Sequence, residues 1–177
     1  MKYSELARRV LFEPLRTGAD RLCILSGYAT PNMASWLIKN LKEFKSGPID
    51  ISLIVGMVPF DGLSIAVHEG FKELQKERMP QEVAHYQCSY VYDSAPVHAK
   101  VYVWLKGDEP VVAFAGSANF TQSAFGEKRR EYMVECDALE AYRYYCNVEN
   151  DTIFCNHAEV EEYVVLYPTH SVLDMEN

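Results

Sequence analysis

The order of its apolar segments constrains this chain most. Residues 21–28 (RLCILSGY) and 49–57 (IDISLIVGM) are near-continuous apolar runs of strand length, the pattern of strands buried on both faces. Each is followed by a stretch with helical spacing. One opens at Pro31 and runs through NMASWLIKNLKEF; the other follows Asp61-Gly62 and covers LSIAVHEGFKELQKERM. Proline near the first helix start, and Gly47-Pro48 and Met79-Pro80 at the ends, are the punctuation helices favour. Four strand-like runs then come in quick succession: VAHYQCSYVY, VHAKVYVWL, VVAFAGS and EYMVEC. A helix is expected over 138–148, and a short one over 157–163 before a polar tail. This order predicts an α/β fold with a mixed β-sheet flanked by helices on both faces.

The segment MKYSELARRVLFEPL reads as the start of an amphipathic helix. It lacks the unbroken apolar stretch of a signal peptide, so a cytoplasmic location is expected. No apolar run approaches the length of a membrane span. A chain of 177 residues without repeats, low-complexity tracts or long linkers predicts one domain over 1–177. Its five cysteines are odd in number and widely spaced, with no CxxC, which fits reduced, buried thiols. The spacing of Cys146, Cys155 and His157 matches no common zinc pattern. A net charge of -8 argues against a broad nucleic-acid-binding surface, although a phosphate pocket needs positive potential only where substrate lies.

Two apolar runs carry polar clusters that a core strand does not need. His98 and Lys100 lie two apart, so on a strand they project from one face while Val97, Ala99 and Val101 take the other. The following run ends at Gly116-Ser117, a turn that presents Ser117 and Asn119 beside the strand end. Converging, these groups supply a cation, two neutral donors and a titratable nucleophile or base, a set that suits a phosphate with a labile bond. Taken singly, Ser117 and Asn119 also fit a turn former and a helix cap, and Lys100 an edge-strand lysine.

HAK followed by GSANF resembles the HxK…GSxN signature of the phospholipase D superfamily, in the form carried by small dimeric nucleases and phospholipase D-like type II restriction endonucleases. The resemblance implies a phospholipase D-like nuclease fold and a metal-independent phosphodiesterase, without cofactor, acting on DNA. Carried over, His98 matches the family's nucleophile, which forms a phosphohistidine. Lys100, Ser117 and Asn119 match the residues that hold the non-bridging oxygens. Glu131 resembles the carboxylate that orients the histidine, with Glu135 as its competitor. The family's longer motif has an aspartate five residues after the lysine; here that residue is Leu105, which weakens a phospholipid hydrolase or phosphatidyltransferase reading more than a nuclease one.

Only one HxK occurs, whereas the family chemistry uses two histidines. The resemblance therefore implies a homodimer with one site shared across a two-fold axis, the two His98 side chains in different protonation states. The basic run Lys128, Arg129 and Arg130 precedes Glu131 and is a candidate contact to the nucleic-acid backbone. The resembling restriction enzymes carry a separate sequence-reading domain, so a recognition domain or partner protein is expected; no membrane partner is. From another class, the same cluster fits an inactive phosphate- or nucleic-acid-binding module.

Overall fold

The computed structural model describes residues 3–44 and 47–168; the polar tail read from the sequence extends past them. The chain enters through α1 (Glu5–Ala7), which continues as a π-helical turn over Arg8–Phe12 and a 3-10 turn over Glu13–Thr17. There follow β1 (Arg21–Ser26), α2 (Pro31–Asn40), β2 (Ile49–Val55), α3 (Val58–Asp61), β3 (Leu63–Ser64), α4 (Ile65–Lys76) and β4 (Val83–Val91). After these come β5 (Val101–Lys106), β6 (Glu109–Gly116), α5 (Gln122–Phe125), β7 (Met133–Cys136), α6 (Ala138–Glu149), β8 (Thr152–Phe154), α7 (Val160–Tyr163) and β9 (Leu166–Tyr167).

Seven strands form one sheet in the order β7-β6-β5-β1-β2-β4-β8, and β3 pairs with β9 separately. β1, β2 and β4 run parallel. β5, β6 and β7 continue the sheet antiparallel on one side, and β8 on the other. The mixed sheet expected from the sequence is present, and strand alternation divides its side chains between two cores. Leu22, Ile24, Ile51, Leu53, Tyr102 and Trp104 belong to the core shared with α1, α2 and α4. Cys23, Leu25, Val103, Leu105 and Ala113 belong to the other, with Ala141, Tyr145 and Val148 of α6. Trp104 Nε1 donates to the Val10 carbonyl at 2.8 Å, tying the N-terminal helical turns to β5. Among the described residues, no helix is long and apolar enough to cross a membrane, and all five cysteines are free.

Several boundaries differ from expectation, among them three that bear on the polar clusters or the elements beside them. Ser64 accepts from the Val67 amide at 3.1 Å, so α4 starts at Ile65 and Leu63-Ser64 are left to pair with β9. β5 begins at Val101, and His98 and Lys100 lie in the segment leading into it. β7 begins at Met133 because Tyr132 gives its amide to Ser117 Oγ at 2.9 Å, so Glu131 precedes the strand instead of opening it.

Candidate active site

The carboxyl ends of β1 and β2, the start of β5 and the end of β6 meet at one end of the sheet. Register fixes this: Ser26 stands opposite Val55, Leu25 opposite Val101, and Val101 opposite Ala115. Carboxyl ends of parallel strands are where open α/β sheets place ligands. Two glycines let backbones close around this point. A Cβ on Gly56, just past β2, would lie 2.1 Å from the Val97 carbonyl oxygen. Its absence lets Val97 donate to the Gly56 carbonyl at 2.8 Å, holding the residue next to His98. A Cβ on Gly116 would likewise lie 2.1 Å from the Tyr132 carbonyl, where Ser117 donates its amide at 3.0 Å.

The polar side chains assemble on this frame. His98 is exposed, and its imidazole meets the Tyr28 ring edge-on with centroids 5.9 Å apart. Asn119 Oδ1 accepts from the Tyr28 amide at 3.1 Å, with Ser26 Oγ at 3.3 Å. With Oδ1 engaged, the Asn119 amide nitrogen is the group left to donate outward. Ser26 Oγ also accepts from the Phe120 amide at 2.9 Å, and Tyr102 donates to the Ala118 carbonyl at 2.8 Å, so the GSAN turn is anchored from beneath. Ser117 Oγ donates to Glu131 Oε2. Glu131 also acts electrostatically on Lys100.

Partial burial lowers the Lys100 pKa from its usual value, and the Glu131 carboxylate partly offsets this. The side chain thus carries its charge in a poorly solvated spot, where a substrate anion is an effective partner. The hydrogen bond to Asp61, aided by desolvation, raises the Tyr28 phenol to about 12, so it remains a donor.

The structure thus joins Lys100 to Ser117 through Glu131, and His98 to Asn119 through Tyr28. Glu135 lies on β7 opposite Phe114, exposed. Among the described residues no hydrogen bond joins either glutamate to His98. Leu105 is wholly buried in the core that includes α6 residues, a position for packing and not for chemistry. Of the basic run, Arg129 lines a cavity of about 470 Å³ that Asn119 and Tyr28 also border. Lys128 lines a different hollow with Tyr3 and Trp36, and Arg130 is exposed. Tyr28, Ser26 and Asp61 were not foreseen; the SGY that closes β1 was the signal, a polar step at the end of a buried strand. Elsewhere, His68, Glu69 and Glu161 bring possible metal-ligand atoms within 4.8 Å of one another, but Lys72 pairs with Glu69 at 3.4 Å and His68 Nδ1 is hydrogen-bonded to Tyr90 at 2.8 Å.

The family of the NgoFVII restriction endonuclease N-terminal PLD domain matches residues 4–162. This chain belongs to that family. The chain is also similar in fold to NucT from Helicobacter pylori, with a TM-score of 0.53 and 16% identity over 86% of this chain and 96% of that one. A polyphosphate kinase from Porphyromonas gingivalis aligns with a TM-score of 0.46 and 16% identity, over 81% of this chain and 19% of that protein. No curated protein sequence matches.

Proposed function

We propose that this chain is a nuclease that cleaves DNA without a metal ion, through a phosphohistidine on His98. The observation that carries the reading is a pair of links at one sheet end, Lys100 to Ser117 through Glu131 and His98 to Asn119 through Tyr28, with the Asn119 amide nitrogen left to donate. Family membership supports a restriction-type endonuclease.

The reaction is two in-line displacements. A ring nitrogen of His98 attacks phosphorus, the P–O bond breaks, and the departing oxygen takes a proton from the partner subunit's His98. Water then attacks the phosphohistidine, giving its proton back to that second imidazole, and the P–N bond breaks. Lys100, Ser117 and Asn119 hold the non-bridging oxygens, supplying charge stabilisation that a metal supplies elsewhere. Glu131 fixes Ser117 and orients the imidazole; its bond to Ser117 supports the first role, and the family resemblance the second. Arg129 and its basic neighbours contact the DNA backbone. One HAK per chain calls for a homodimer with a shared site, and sequence reading falls to a separate domain or partner protein.

The stereochemistry at phosphorus tests the mechanism. When a phosphorothioate diester of one configuration is cleaved in 18O-labelled water, two displacements give a chiral phosphorothioate monoester with retained configuration, and an alkaline quench should trap a DNA–protein adduct missing in His98→Ala. Inversion without an adduct would overturn the two-step route.

A further inference from the structure

The cavity beside Asn119 is larger than phosphoryl chemistry needs. Lys100, Ser117 and Asn119 suffice for a phosphoryl group, yet the hollow that Asn119 borders has a volume of about 470 Å³ and is lined by residues of β2, α3 and α4. Sites of roughly 300–1,000 Å³ hold small organic groups, not lone oxyanions. Its walls are mixed: Val55 and Met57 are apolar, Tyr28 is aromatic, and Asp61 and Arg129 are charged.

Tyr28 connects this cavity to the chemistry. Its ring meets His98, its amide holds Asn119, and its hydroxyl donates to Asp61 Oδ2. That last bond leaves Asp61 Oδ1 as an acceptor on a residue lining the cavity. Asp61 is the C-terminal residue of α3 and exposed, so its carboxylate can meet a ligand without unfolding anything. An occupant adjoining the phosphate site, partly apolar, flat enough to lie against tyrosine and carrying N–H donors, matches a nucleobase.

We propose that this cavity receives the base next to the scissile phosphate, unpaired or swung out of the helix, and that Asp61 favours bases with an exocyclic amino group. The inference rests on the nuclease reading above. A base inside a duplex is stacked and paired, so it cannot enter a pocket beside its own phosphate unless it leaves the helix. Contact with an aromatic ring tolerates any base; the added acceptor separates cytosine, adenine and guanine from thymine.

The test uses single-stranded oligonucleotides with one cleavable phosphodiester, the other linkages being methylphosphonates. The neighbouring nucleotide is cytidine, thymidine or abasic, and each strand is also annealed into a duplex. Bis(p-nitrophenyl) phosphate serves as a base-free diester. Cleavage beside unpaired cytidine should exceed that beside the abasic residue or in the duplex by at least about tenfold, and Asp61→Ala should bring the cytidine-to-thymidine ratio towards one. Equal rates on all the oligonucleotides, with His98-dependent hydrolysis of the base-free diester, would overturn the base pocket and leave the nuclease reading standing. A cytidine-to-thymidine ratio unchanged in Asp61→Ala would overturn the role given to that carboxylate. No hydrolysis of any diester would overturn both.

Discussion

Replacing Gly56 with alanine should damage stability and catalysis together, because this glycine sets the backbone position of the residue before His98. The new methyl carbon would sit 2.1 Å from the Val97 carbonyl oxygen. Restoring ordinary contact needs a separation of roughly 1 Å or more. The Val97-to-Gly56 hydrogen bond, 2.8 Å long, would then exceed the normal range. Its loss costs about 1 kcal/mol, and the overpacked contact about 1–3 kcal/mol more, so about 2–4 kcal/mol in all. For a chain of this size that lowers Tm by roughly 4–16 °C. His98 would move with its neighbour, and a misplacement of about 1 Å costs on the order of 10²-fold in rate. Thermal unfolding and plasmid cleavage read the two effects. Gly47→Ala is the control, since a Cβ there meets nothing within 4 Å. A Gly56→Ala protein that melts and cleaves like the wild type would refute the reasoning.

Lys100 predicts a pH dependence. Burial lowers its pKa below the usual 10.5, so kcat/KM should show, beyond the fall that follows loss of the acidic imidazole's proton, a further alkaline fall below that value; in Lys100→Arg this further fall should be missing because the guanidinium stays charged. Its contribution to stability has the opposite sign, rising with pH between the lowered and ordinary values, where the unfolded chain holds the proton more tightly. Restoring the family's aspartate with Leu105→Asp should destabilise the fold by at least about 2–5 kcal/mol in chemical denaturation, the cost of losing the buried leucine alone, with no gain in activity. Trp104→Phe should cost about 1–3 kcal/mol, since it leaves the buried Val10 carbonyl without its donor. Sedimentation of an active preparation should show a dimer; activity in a strictly monomeric preparation would contradict a shared site.

The sheet was legible because its central strands are unambiguous: RLCILS and IDISLIV are buried in nearly every position, and only a strand covered on both faces tolerates that. HAK and GSAN were legible for the opposite reason, as polar groups at the ends of apolar runs. Strand ends were less so. Ser117 takes up the Tyr132 amide with its side chain, which moves Glu131 off the strand. β8 and β9 went unforeseen because three and two residues carry too little periodicity. Tyr28 and Asp61 were hidden by distance: they lie 33 residues apart, and only the meeting of β1 with the end of β2 unites them.

In the proposed reaction His98 performs phosphodiester cleavage without a metal ion. Supercoiled plasmid incubated in excess EDTA with wild-type protein and with His98→Ala tests it most directly. Nicked or linear DNA is expected from the wild type in EDTA, and intact plasmid from the variant. Cleavage that requires added Mg²⁺, or that persists in His98→Ala, would contradict it.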